Sequence, residues 1–224
     1  MAMNTRQGLV IGASRGLGLG LAEELARRGW RVIATTRGQG ELAGNERITQ
    51  ERLEMTSAKQ REGLRERLEG QELDLLFVNA AIDRGDLPIT EVPEEMFTEV
   101  MVTNAYSPMR TLEALRGLVK RGGTAAVMSS EQGSVANNTE EGYELYKASK
   151  AALNQLMRSY ATRHADDGHT KLLIDPGHNR TSLGGPGAEL EPRDTVPQVV
   201  DVLEAQAGAQ GLQFLDRRGE TVAW

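Results

Sequence analysis

Short apolar runs alternate with stretches of helical periodicity along nearly the whole chain. Residues 8–11 form an apolar run followed at once by a run of small residues from Gly12 to Gly18. Beyond it Leu21, Leu25 and Ala26 are apolar, while Glu23, Glu24, Arg27 and Arg28 are polar, and Gly29 follows. That order predicts a strand, a tight loop and an amphipathic helix with a glycine stop. Residues 30–35 and 47–53 predict two further strands, and Ser57 caps a predicted helix to Leu68 whose Arg- and Glu-rich face points to solvent. Residues 73–78 read as a buried strand, and Pro93 opens a helical segment to Lys120 with a kink at Pro108. Residues 124–129 predict a strand and lead to a long helix around Tyr146, in which Ala148, Ala151, Ala152, Leu156 and Ala161 suit packing on a sheet. Residues 171–174 and 212–216 predict the last strands, separated by a Gly/Pro-rich loop at 182–192 and a helix at 195–207. This alternation predicts an α/β fold, a Rossmann-type doubly wound parallel sheet of about seven strands flanked by helices, in one domain over residues 1–224.

Composition narrows the function. The net charge of −6 over 224 residues argues against nucleic acid or an anionic membrane as the main partner. The chain has no cysteine, so disulfides, thiolate nucleophiles and cysteine metal sites are excluded. Residues 1–7 are polar, and no stretch approaches the roughly 18 unbroken apolar residues of a membrane span. A cytoplasmic protein is expected. No metal site is expected either: His164 and His169 are five apart at a polar helix end, and His178 stands alone after a Pro-Gly turn.

The strand–loop–helix–strand context makes the first loop a phosphate cradle. Gly12 allows the tight turn, Gly16 lets the backbone approach a pyrophosphate, and Gly18 lets the helix pack on the strand. The helix amino terminus, with Ser14, Arg15 and Leu17 beside it, offers free N–H groups and a partial positive charge. The second strand ends at Arg37 with no acid to hold a ribose 2′-hydroxyl. Arg15 and Arg37 together suit a 2′-phosphate, which a guanidinium can clamp with two hydrogen bonds.

A second constellation sits in the long helix. Tyr146 and Lys150 are four apart, hence on one helix face. A nearby ammonium favours the phenolate, which makes proton exchange between a tyrosine and a substrate oxygen practical. Tyr143 and Lys147 offer the same spacing in a frame shifted by three residues.

The G-x-x-x-G-x-G loop and the Y-x-A-S-K-A-A run from Tyr146 to Ala152 resemble short-chain dehydrogenases/reductases, and the likeness can be followed along nearly the whole chain. The resemblance selects Tyr146 and Lys150 over the shifted frame and implies NADPH as cofactor, given Arg15 and Arg37. It implies that Glu54 and Met55 lie at the adenine and that Asn79, Ala80 and Ala81 stand for the family's Asn-Ala-Gly beside the ribose, with Ala81 in a glycine position. Pro176 and Gly177 then correspond to the turn over the nicotinamide, with Thr181 as the hydroxyl residue that follows. Asn104, in Val102-Thr103-Asn104-Ala105, matches the asparagine that sits at a helix distortion and holds a relay water. Ser130 matches the substrate-orienting serine, with Ser129 as the neighbouring candidate.

The implied activity is reduction of a small aldehyde or ketone to an alcohol, or the reverse, with Tyr146 exchanging the proton and Ser130 fixing the oxygen. Three local runs, S-S-E-Q-G-S-V-A-N-N-T, Y-K-A-S-K-A-A-L-N and F-L-D-R-R-G-E-T-V-A-W, are most similar to C-factor and Sniffer-like carbonyl reductases. The loop at 182–192 corresponds to the family's substrate lid, and family members often form dimers or tetramers. An alternative on the same scaffold is an NADP(H)-binding redox sensor with little turnover; Asn104, Ser130, Tyr146 and Lys150 together argue for catalysis.

Overall fold

The computed structural model describes residues 5–38, 42, 44–79 and 81–224. Seven strands pair in the order β3-β2-β1-β4-β5-β6-β7, every neighbour parallel. They are β1 (Gln7–Ile11), β2 (Arg31–Thr36), β3 (Ile48–Arg52), β4 (Leu73–Val78), β5 (Val119–Met128), β6 (Thr170–Asp175) and β7 (Leu212–Asp216). Six α-helices connect them: α1 (Gly16–Arg27), α2 (Ala58–Arg67), α3 (Glu94–Met101), α4 (Ser107–Leu115), α5 (Glu144–Arg163) and α6 (Pro192–Ala205).

Period-two alternation in the strands divides the core into two layers. Leu9, Ile11, Leu76, Val78, Val127 and Leu173 pack with Leu64 of α2, Met109 and Leu112 of α4, and Leu153, Met157 and Tyr160 of α5. Their alternate neighbours Val10, Leu75, Phe77, Ala126, Leu172 and Ile174 meet Leu21 and Leu25 of α1 and Val196, Val199 and Leu203 of α6. Both faces are therefore dry.

Three features depart most from the sequence expectation. The segment from Pro93 is helical only to Leu118, and Val119 and Lys120 already belong to β5. Its distortion is centred just before Pro108, whose missing N–H leaves the carbonyl four residues back, that of Asn104, without an i+4 partner. It is a π-turn at Val102–Tyr106, carrying Asn104. In α5 only part of the alanine face meets the sheet: the buried stripe is Leu145, Ser149, Leu153, Met157 and Tyr160, with Ala152 packed against the same core, while Ala148 and Leu156 are exposed. The larger side chains take the sheet because they bury more apolar area per residue.

The carboxyl end of α1 is tied to α6. Glu24 accepts from Arg27 Nε at 2.6 Å and Arg28 Nε at 2.8 Å, and Arg28 Nη1 reaches Asp201 and Glu204 at 2.7 and 2.8 Å. The Arg27 hydrogen bond, with Arg28 behind it and burial opposing, lowers the Glu24 pKa from 4.5 to about 2. A carboxylate whose folded pKa is depressed stabilises the fold above its unfolded value and loses that contribution as it protonates. The melting temperature is therefore expected to fall as pH drops from 4.5 toward 2, and Glu24→Gln should flatten this part of the pH profile. Equal slopes in the two proteins would refute the coupling.

Candidate active site

The strand order reverses between β1 and β4, which opens a crevice at the carboxyl ends of the strands. The loop after β1 fills one side of it. Gly12 has φ +84° and Gly16 φ +56°, conformations that favour glycine. A Cβ on Gly18 would lie 2.1 Å from the Gly12 carbonyl oxygen and 2.6 Å from Asn79 Nδ2, so helix and loop touch through hydrogen atoms alone. Asn79, at the end of β4, donates to that carbonyl at 3.2 Å, and Thr35 Oγ1 accepts from Gly12 N–H at 3.1 Å. Arg15 precedes α1 and caps it with no side-chain hydrogen bond, and the first turn carries no acid. The loop is thus a glycine cradle facing an uncapped, positively polarised helix end, which fits a pyrophosphate.

Around the cradle, Arg15 and Arg37 are exposed at neighbouring strand ends and have no carboxylate partner among the described residues. Ser14 is exposed and Leu17 half-buried beside them. Glu54 Oε1 accepts from Thr56 N and Oγ1 at 3.2 and 3.0 Å, so its carboxylate is turned onto its own loop; the Met55 carbonyl accepts from Arg61 Nη1. Ala81 is half-buried just beyond Asn79, and Ala80 lies outside the described residues. Thr181 stands over the cradle: its Cγ2 would be 3.3 Å from a Cβ on Gly16, and its Oγ1 accepts from Leu183 N and Gly184 N.

The other side of the crevice is built from α5 and the ends of β5 and β6. Lys150 is 2% exposed, donates to the Met128 carbonyl at 3.0 Å, and places Nζ 5.7 Å from the Tyr146 ring centre. The Ser130 hydroxyl lies beside the Tyr146 phenol, close enough to lower its pKa, and its Oγ accepts from Gln132 N at 3.2 Å, whereas Ser129 is turned inward, donating to Asn154 Oδ1 at 2.6 Å. Lys147 in the shifted frame donates to the backbone carbonyl of Glu140 at 2.6 Å, and Tyr143 is half-exposed with φ +52° at the helix entry. The geometry therefore favours the Tyr146 frame and Ser130.

The electrostatics differ from the simple expectation that Lys150 lowers Tyr146. Burial raises the Tyr146 pKa, the charges of Asp83 and Asp175 raise it further, and the Ser130 hydrogen bond only partly opposes them. Burial pushes Lys150 down to about 8, with Asp175 acting against the fall. At neutral pH the pair is a phenol beside an ammonium.

Asn104 is fully buried at the π-turn. Its Nδ2 donates to the Ile82 carbonyl at 2.7 Å and to Ser149 Oγ at 3.0 Å, and its Oδ1 accepts from Ile82 N at 2.8 Å. It braces the β4–α3 connection against α5, and both its amide protons are committed.

The Pro176-Gly177 turn follows β6 with Gly177 at φ +70°. Asn179 Nδ2 donates to both the Pro176 and Gly177 carbonyls, at 2.8 and 3.0 Å, while its buried Oδ1 has no partner among the described residues. His178 is exposed, with Nε2 donating to the Gly184 carbonyl at 2.8 Å.

A family model described as enoyl-(acyl carrier protein) reductase matches residues 12–198. The chain belongs to the short-chain dehydrogenase/reductase family. Among solved structures, this dehydrogenase/reductase superposes on one from Burkholderia multivorans with bound NADP at a TM-score of 0.96, with 47% identity over 99% of this chain and 100% of the other. The carbonyl reductase Sniffer of D. melanogaster superposes at 0.88 with 26% identity, over 99% of this chain and 100% of that one. Among curated proteins, the C-signal of Myxococcus xanthus is 30% identical over 154 residues, 68% of this chain and 93% of its own length. The short-chain dehydrogenase/reductase fold and the likeness to the C-factor and Sniffer group thus agree with the motifs. Among the described residues no helix is long and apolar enough to cross a membrane.

Sequence reasoning missed Thr35, Ile82, Ser149, Asp175 and Asn179 as parts of this short-chain dehydrogenase/reductase site. Asn179 carried a usable signal, since an asparagine two residues after a Pro-Gly turn is placed to bond backwards to its carbonyls. Ser149 lies inside the Y-x-A-S-K-A-A run, where only its neighbours were given roles; Ile82 acts through its backbone, and Thr35 and Asp175 reach the site through strand register, which leaves no motif.

Proposed function

We propose that this oxidoreductase is an NADPH-dependent carbonyl reductase acting on small aldehydes or ketones. The observation that carries the reading is the convergence of the Tyr146 phenol, the Ser130 hydroxyl and the Lys150 ammonium at the same strand ends as the glycine cradle. Gly12, Gly16, Gly18 and the α1 amino terminus would hold the pyrophosphate, Arg15 and Arg37 a 2′-phosphate, and Pro176, Gly177 and Thr181 would border the nicotinamide. When bound, NADPH supplies the hydride that the carbonyl carbon takes up.

The chain's own groups handle the oxygen. Ser130 donates a hydrogen bond to it and holds it against Tyr146, whose protonated state suits a proton donor to the developing alkoxide. Lys150, charged at neutral pH, stabilises negative charge that builds there and is placed to bond ribose hydroxyls. With both amide protons of Asn104 committed, a water relay at this residue runs through its backbone.

The test is NADPH and NADH oxidation against a panel of small aldehydes, ketones and quinones, in the wild type and in Arg15→Ala and Arg37→Ala. NADPH is expected to be used faster than NADH. Each charged hydrogen bond to phosphate contributes about 1.5–3 kcal/mol, so each variant should lose roughly ten- to hundredfold in NADPH affinity while NADH is unaffected. Tight NADPH binding without oxidation of any substrate would instead favour the redox-sensing alternative.

A further inference from the structure

β7 ends beside the turn that follows β6. The two strands are parallel and in register through Asp175 and Asp216, so Arg217 emerges next to Pro176 and Gly177. A Cβ on Gly177 would lie 2.8 Å from Leu190 Cδ1 and 3.6 Å from Arg217 Nη1, so the guanidinium rests against this turn together with a side chain of the β6–α6 loop. The ends of that loop are paired: Arg180 N–H donates to the Leu190 carbonyl at 2.8 Å and Leu190 N–H to the His178 carbonyl at 3.1 Å. Ser130 after β5, Gly177 after β6 and Arg217 after β7 thus stand at the carboxyl ends of three adjacent strands. With neighbouring strands about 4.8 Å apart, the Arg217 backbone lies roughly 10 Å along the sheet from Ser130.

Arg217 is half-buried and has neither a carboxylate nor a hydrogen-bond acceptor among the described residues. A guanidinium offers five donors and cannot shed its charge, so partial burial without an acceptor is unfavourable. The acids nearest to it along the chain and across the sheet are already engaged. Arg218 takes Asp216 and Glu220, at 3.1 and 2.9 Å, and Arg180 takes Glu191 at 2.9 Å. Asp175 Oδ1 accepts from Glu131 N–H at 2.9 Å, and the Glu131 carboxylate accepts from Asn137 Nδ2 at 3.0 Å. The turn that carries Arg217 is itself fixed. Asp216 N–H donates to the Glu220 carbonyl at 2.8 Å, and Asp216 Oδ1 accepts from Arg218 N–H and Glu220 N–H at 2.8 and 2.9 Å. A held, half-buried guanidinium with unused donors is prepared for an anion from outside the chain.

We propose that Arg217 is a specificity residue of this site and that the carbonyl substrate carries a carboxylate, which the guanidinium binds while the carbonyl oxygen rests on Ser130 and Tyr146. The inference rests on the carbonyl-reductase reading and narrows its substrate class to oxo acids. The planar guanidinium matches a carboxylate with two parallel hydrogen bonds, so it fixes the direction of the substrate as well as its charge. The separation along the sheet, shortened by the reach of the arginine side chain, suits an anion a few bonds from the carbonyl. A methyl ester of the same compound keeps the shape and loses the charge.

The test is calorimetric binding of 4-carboxybenzaldehyde and 6-oxoheptanoate, each beside its methyl ester, to the full chain saturated with oxidised NADP, where no hydride is available. The wild type is expected to bind at least one acid about ten- to hundredfold more tightly than its ester, the span of a charged hydrogen bond. In Arg217→Gln that ratio should fall to near one. Arg217→Met, which keeps the alkyl stem against the turn, carries the same expectation if the glutamine variant does not fold. A wild type that binds neither acid better than its ester, or a preference that survives in the folded variants, overturns the proposal. Failure to oxidise NADPH with any carbonyl would instead overturn the reductase reading, and the acid-to-ester ratio would still decide whether Arg217 holds an anion.

Discussion

Tyr146→Phe is expected to abolish carbonyl reduction while leaving NADPH affinity nearly unchanged. The phenol oxygen is the only group at the crevice that combines a transferable proton at neutral pH with a position opposite the Ser130 hydroxyl among the described residues. Lys150 cannot substitute, because its ammonium is bound to the Met128 carbonyl and lies 5.7 Å from the ring centre. A positioned general acid contributes on the order of 10²–10⁴ in rate, so the loss should fall in that range or exceed it. The phenyl ring retains the packing of α5 on its surroundings, and the glycine cradle is untouched. Steady-state rates with NADPH and an accepted carbonyl, set against NADPH binding by fluorescence, check both halves. Turnover near the wild-type level would remove Tyr146 from the chemistry.

Gly18→Ala should be among the most damaging single methyl groups at the described glycines. The added carbon would lie 2.1 Å from the Gly12 carbonyl oxygen and 2.6 Å from Asn79 Nδ2. Neither neighbour can swing aside cheaply. The carbonyl is backbone in a turn already at positive φ, and the Asn79 amide is bonded to that same carbonyl at 3.2 Å. Relief requires α1 to move off β1 or the Gly12 turn to open. Overpacking of this kind costs about 1–3 kcal/mol in stability. The displaced N–H groups should also weaken NADPH, by roughly ten- to hundredfold for each charged hydrogen bond lost. A thermal melt and a cofactor titration read the two effects, and Gly117→Ala, where an added methyl meets open space, serves as the control. Wild-type cofactor affinity in Gly18→Ala would show that the cradle is not where the phosphates sit.

The fold was legible because most strands are short apolar runs bounded by glycine, proline or a cap, the polar edge strand β3 excepted, and most helices carry their own period. The boundaries that slipped are those whose marker was passed over or displaced. Gly117 in Arg116-Gly117-Leu118-Val119 is a stop that the helical reading ran past, and the π-turn lies just before Pro108, the residue that marks it. The packing face of α5 was misjudged because its alanines are numerous, whereas the sheet is met by the fewer and larger Leu145, Leu153, Met157 and Tyr160. Site residues named by motif, such as Gly12, Ser130, Tyr146 and Lys150, are ones whose spacing along the chain is itself the chemistry. Asp175 could not be found that way. It reads as the first residue of a Pro-Gly turn, and only the register of β5 against β6 places its carboxylate beside the Ser130 turn.

The all-parallel order has a consequence for how the chain comes together in time. Gly8 of β1 pairs with Leu75 of β4 and Leu73 of β4 with Val119 of β5, so every central pairing waits for a crossover to be completed. During synthesis β1 is held on one edge by β2 and stays open on the other until β4 emerges. Closing such long loops precedes the contacts that reward it, which makes assembly slow relative to a helical protein of this size. The half-built sheet, with the glycine cradle at its rim and its central edge unpaired, is the species most exposed to association with other nascent chains.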